Sequence, residues 1–211
     1  MNSVNSVSAE GTFTVGILVF DGVEVLDFSG PFEVFSELWS DPDENGESHP
    51  MCRAITIGET EAVVTCSGGL VVLPQATIAN HPSLDVLLVP GGHVADVMAN
   101  PTLLDWIKKQ DQQTQVTASV CTGALVLAKC GLLNQKRATT HWGSIERMRE
   151  RFPEVEVLAN TRFVDEGHVI TSAGISAGID MSLHLLERFF GEEAAALAAR
   201  GMEYERHSSV A

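Results

Sequence analysis

Basic side chains are scarce in this 211-residue chain: 13 lysines and arginines face 28 aspartates and glutamates, for a formal charge of −15. Nucleic acids and anionic lipid surfaces are bound through clustered cations, so this balance excludes DNA, RNA and a membrane surface as partners. Long hydrophobic runs are missing as well. VTASV, ALVLA and VLLVP are the most apolar stretches, far short of the roughly 20 residues that span a bilayer, and a soluble protein is expected. The opening MNSVNSVSAEGT lacks the basic and apolar regions of a signal peptide. It reads as a flexible leader, 1–11, ahead of a single α/β domain over 12–211. Cysteine occurs only at 52, 66, 121 and 130, with no C-x-x-C pair and no histidine at ligand spacing. That pattern excludes a zinc site of the usual spacing and, without a secretory signal, a disulfide framework. Reduced thiols in a cytoplasm, and no metal, are expected.

What is present is alternation. TVGILVF, CRAITIG, DVLLVPGG, QVTASV, VEVLA and HVITSAG read as strands, several of them apolar on both faces as buried parallel strands are. Between them lie helix patterns: PFEVFSELW with Pro31 in its first turn, PTLLDWIKKQ, TGALVLAKC ending at Gly131, HWGSIERMRERF ending before Pro153, and AGIDMSLHLLERFF ending at Gly191. TRFVDEGHVITS, with a turn at Glu166-Gly167, reads as a hairpin. The pattern predicts an α/β sandwich, a mostly parallel sheet with helices on both faces. A polar loop, 40–50, interrupts it.

In such folds chemistry collects at the carboxyl ends of strands, and four stretches fall there. SVCTG places Cys121 between a strand and a helix, with Ser119 and Gly123 two residues to either side, the spacing of a nucleophile elbow. A thiol at the N-terminus of a helix is expected to titrate low, so Cys121 is read as a reactive nucleophile. Cys52, Cys66 and Cys130 read as small buried hydrophobes. VPGGH is either a tight turn or half of an anion-stabilising hole made from the N–H groups of Gly92 and Thr122, with Gly91 and His93 nearby. In VLDFSGP, Asp27 has no evident capping task, because Ser29 stands closer to Pro31; the alternative is a buried, proton-carrying acid. His141, in RATTHW, reads as a capping or packing residue at a helix start, or as a pocket residue that orients a partner. TSAGISAGID lacks both G-x-G-x-x-G and a P-loop lysine, so its glycines read as close helix-on-sheet packing and not as a phosphate cradle.

GILVFDGVEVLDFSGPFEVF, LLVPGG, SVCTGALVLAKCGLL, RATTHW and TSAGISAGIDMSLHLL, in this order, resemble the ThiJ/PfpI family of the class I glutamine amidotransferase-like superfamily, over about 12–190. The likeness runs to the isonitrile hydratase branch, and it implies Asp27, Cys121 and Thr122 as catalytic residues, a flavodoxin-like sandwich, a homodimer and a small-molecule substrate. In the protease-like branch a histidine follows the cysteine directly; here Thr122 stands there, which argues against peptide hydrolysis. Sensor domains of AraC-type regulators are also similar, but they continue into a DNA-reading module, which is not expected here. Water addition to an isonitrile, with no metal or organic cofactor, is the expected activity. Chemistry on reactive carbonyls such as glyoxals, or non-enzymatic redox or ligand sensing at Cys121, are the alternatives. The loop 40–50 and the residues after Gly92 are expected to line or cover the pocket.

Overall fold

A computed structural model describes residues 12–40 and 42–207; the expected leader lies outside the described residues. In chain order the elements are β1 (Phe13–Leu18), α1 (Val25–Ser36), β2 (Cys52–Gly58), β3 (Val64–Thr65), β4 (Val71–Val72), β5 (Ala76–Thr77), β6 (Val86–Val89), α2 (Ala95–Ala99), α3 (Pro101–Asp111), β7 (Val116–Val120) and α4 (Gly123–Lys129). There follow β8 (Arg137–Ala138), α5 (Ile145–Arg151), β9 (Glu156–Val157), β10 (Phe163–Asp165), β11 (Val169–Ser172), α6 (Ala177–Phe190) and α7 (Glu192–Gly201).

Seven strands form the central sheet in the order β10-β11-β7-β6-β1-β2-β5, parallel throughout except for the β10–β11 hairpin. Every residue of β1, β6, β7 and β11 is buried, as a strand covered on both faces requires. Helices α1, α6 and α7 pack together, as do α2, α3 and α4, and the two groups flank the sheet. This is a flavodoxin-like α/β sandwich. From β1 the chain moves out to β2 on one side and returns to β6 on the other, so the order reverses between β1 and β6. Ligand sites of open α/β sheets form at such a reversal, outside the carboxyl ends of the strands.

Local readings of the sequence differ from the structure in three places. Helix α1 begins at Val25, so Pro31 lies inside it and Ser29 cannot cap it. Pro31 withdraws the N–H that would bond the Asp27 carbonyl, yet it is buried in the core with Phe28 and Val34, and packing outweighs the lost bond. VEVLA contributes only β9, which pairs with β8 outside the main sheet. The edge beside β11 is taken by β10, whose short loop makes hairpin closure the less costly pairing. Beyond Gly191, where the sequence patterns end, the chain adds α7, with Ala195, Ala198 and Ala199 buried.

The elbow requires its glycine. A Cβ at Gly123 would lie 2.0 Å from the Val89 carbonyl oxygen, a backbone atom of β6 that cannot step aside. Gly123→Ala is expected to lower stability by roughly 2–4 kcal/mol, read as a lower melting temperature.

Candidate active site

β7 delivers its last residue, Val120, to the switch point, and the next residue turns sharply. Cys121 has φ +57°, the left-handed region that costs a non-glycine residue about 1–2 kcal/mol. Neighbouring elements hold it there. Its N–H donates to the Ser172 carbonyl at the end of β11, at 3.1 Å, and its carbonyl accepts the Thr140 hydroxyl at 2.8 Å. α4 starts two residues later, and the Thr122 N–H is left to point at the sulfur. The thiol is buried, with 6% of Cys121 exposed.

From the opposite side α1 brings Asp27, in its first turn and fully buried. The carboxyl hydrogen-bonds the Cys121 thiol. Its Oδ2 accepts the Gly91 N–H at 3.0 Å, while Oδ1 has no hydrogen-bond partner of ordinary geometry. Burial lifts the acid from 3.8 to about 7, against the pull of the Gly91 N–H and the thiol hydrogen bond, with Glu24 adding repulsion. Burial also lifts the thiol to about 12, and the adjoining Asp27 charge pushes the same way, against the Thr122 N–H and hydroxyl. The low-titrating thiol expected at a helix start is therefore not found. Desolvation and a neighbouring carboxylate outweigh the few amides at the N-terminus of a seven-residue helix.

The Gly91–Gly92 turn at the end of β6 threads between these groups. A Cβ at Gly91 would lie 2.6 Å from Thr122 N and 2.8 Å from Asp27 Oδ2. The Gly92 N–H donates to Thr122 Oγ1 at 2.9 Å, and that hydroxyl donates back to the Gly92 carbonyl at 3.1 Å. This corrects the expected hole: the Gly92 N–H is engaged with a side chain, and it is the Thr122 N–H, with the Thr122 hydroxyl beside it, that faces the sulfur. Thr122 likewise has its hydroxyl tied to a backbone turn. His93 is exposed with its ring against Gly22, and is not brought to the sulfur.

His141 caps the short 3₁₀ turn Trp142–Ser144, its Nδ1 accepting the Gly143 N–H at 3.3 Å. Its ring also borders the site, through a glycine that the sequence assigned to helix-on-sheet packing. A Cβ at Gly174, after β11, would stand 2.6 Å from Cys121 Sγ and 3.0 Å from His141 Cδ2. Gly178 performs the helix-on-sheet packing read into TSAGISAGID, against Val120, whereas Gly174 packs on the Cys121 sulfur itself. Its place after a strand end was the available signal. A cleft of about 450 Å³ opens at Gly174 and is lined by Thr140, Trp142, Ile145, Glu146 and Arg162, among others. Neither the loop 40–50 nor the residues after Gly92 line this cleft. Among the described residues, no three His, Cys, Asp or Glu side chains cluster so as to hold a metal.

The model of the DJ-1/PfpI family matches residues 14–188. The chain belongs to this family. It is 36% identical to the isonitrile hydratase of Pseudomonas putida over 90% of this chain and 78% of that enzyme. It is also 33% identical to the HTH-type transcriptional regulator GbdR of Pseudomonas aeruginosa, over 92% of this chain but only 51% of the regulator. The crystal structure of a ThiJ/PfpI family protein from Pseudomonas syringae superposes with a TM-score of 0.81 at 27% identity, over 93% of this chain and 77% of that one.

The raised Asp27 pKa has a direct consequence for stability. Folded Asp27 holds its proton more tightly than the unfolded chain does, so stability is fully present below the unfolded value of 3.8 and is lost as pH rises through about 7. Asp27→Asn is expected to gain stability over the parent as pH rises from about 4 to about 8, with a ceiling of about 4 kcal/mol. Denaturant melts at both pH values check this. The same substitution removes a charge beside the sulfur, so Cys121 alkylation by iodoacetamide at neutral pH is expected to accelerate.

Proposed function

We propose that this family member hydrates an isonitrile, R–N≡C, to the N-substituted formamide. The observation that carries the reading is the buried Asp27 carboxyl hydrogen-bonded to the Cys121 thiol, and the likeness to an isonitrile hydratase supports it. The terminal carbon of an isonitrile must gain both a nucleophile and a proton, and one thiol–carboxyl pair supplies both. Asp27, ionised, takes the thiol proton as sulfur bonds to carbon and delivers it to that same carbon, giving the thioimidate R–N=CH–S–Cys121. Water then adds to this carbon, one of its protons going to nitrogen. As the C–S bond breaks, the remaining proton returns to sulfur through Asp27, and R–NH–CHO is released. Thr122 N–H favours negative charge on sulfur in both steps. The Thr122 hydroxyl acts by holding the Gly91–Gly92 turn that aims an N–H at Asp27. A thiol held near 12 also weighs against peroxide sensing, which needs thiolate. A single domain, a cytoplasmic location and a homodimer accompany this reading.

Purified protein is expected to convert cyclohexyl isocyanide into its formamide. Cys121→Ala should abolish turnover, and Asp27→Asn should lower it by about 10²–10⁴-fold. The competent state carries one proton on the pair, so kcat/KM should rise with pH through about 7 and then level. Protein with reduced, alkylatable Cys121 that leaves the isonitrile intact would refute the reading.

A further inference from the structure

Among the described residues, Arg162 is the one cation lining the cleft that opens at Gly174. It is anchored from behind. Its Nη2 pairs with Asp180, a fully buried residue of α6 whose carboxylate also accepts the Tyr204 hydroxyl at 3.1 Å and the His207 N–H at 2.8 Å. With Asp180 so engaged, the guanidinium is fixed in place, yet its buried Nε–H has no partner. A buried donor without an acceptor is costly and rare in native proteins. The other polar groups of the cleft are better satisfied. Glu146 pairs with Arg149 at 2.6 Å, and the Thr139 and Thr140 hydroxyls donate to the carbonyls of Leu158 and Cys121. Trp142, 82% exposed, and Ile145 add apolar surface to the cleft.

We propose that the cleft takes a carboxylate-bearing substituent of the substrate, with Arg162 as the residue that reads it. A planar guanidinium matches a carboxylate in shape as well as charge. Because Arg162 and Glu146 are each already paired, recognition comes from directed N–H donors and not from net positive charge. The substrate class is then a small electrophile whose reacting carbon meets Cys121 past Gly174, while a short apolar chain ending in a carboxylate lies along Trp142. The reacting end rests on the hydratase reading; the carboxylate site does not.

Butanoate and butanamide, alike in size and unlike in charge, test the binding without turnover. Each is added in increasing concentration while alkylation of Cys121 by iodoacetamide is followed at mildly alkaline pH. Butanoate is expected to protect at about tenfold lower concentration than butanamide. That advantage should vanish in the double variant R162Q/D180N, which leaves no buried charge unpaired. R162K keeps the charge but loses the planar fork, and it should lose most of the advantage too; it decides the matter if the double variant does not keep a cooperative melting transition. Equal protection by the two probes, or an undiminished butanoate advantage in a folded Arg162 variant, overturns the proposal. Turnover of isocyanoacetate against methyl isocyanoacetate separates the two readings. A lower KM for the acid supports both, whereas no turnover alongside intact butanoate protection removes the hydratase chemistry and leaves the carboxylate site standing.

Discussion

A carboxyl group buried against a thiol is the constraint around which this molecule is arranged. Neither group is stable as an isolated charge in the core: burial lifts Asp27 to about 7 against the pull of the thiol, and burial together with the Asp27 charge lifts Cys121 to about 12. One proton is thus shared by two groups of different chemistry, at the point where a substrate would meet the sulfur. The surrounding backbone serves to keep that contact. Ser172 and Thr140 hold Cys121 in its left-handed conformation, and Gly91 holds Asp27.

The fold supplies this contact by topology. Asp27, Gly91 and Cys121 follow β1, β6 and β7, three adjacent strands whose carboxyl ends meet where the strand order reverses. Because the strands are parallel, all three connections emerge on one side, and residues 64 and 30 positions apart in the chain become hydrogen-bonded neighbours. Close approach at Gly123, Gly91 and Gly174 lets three backbone segments crowd around one sulfur. Larger side chains at these positions would push the segments apart.

The same topology separates the thiol–carboxyl pair from the cleft. The proton-sharing pair sits in the sheet's interior crevice, whereas the cleft beyond Gly174 is built from the β8–α5 segment and the approach to β10. These segments lie outside the motif-bearing elbow. The relatives this chain matches carry names as different as a hydratase and a transcriptional regulator.

The alternation of buried strands and helices and the elbow at SVCTG were legible in the chain, because periodicity and small-residue spacing are local properties. The sequence also marked Asp27 as an acid in apolar company. The start of α1, the edge place of β10 and the tie between Gly92 and Thr122 were decided only by tertiary structure, since each is a competition between partners distant in sequence. The direction of the Cys121 shift belongs to the same class. A helix N-terminus is legible in a sequence, but the desolvation and the facing carboxylate that outweigh it exist only once β1, β6 and β7 are assembled side by side.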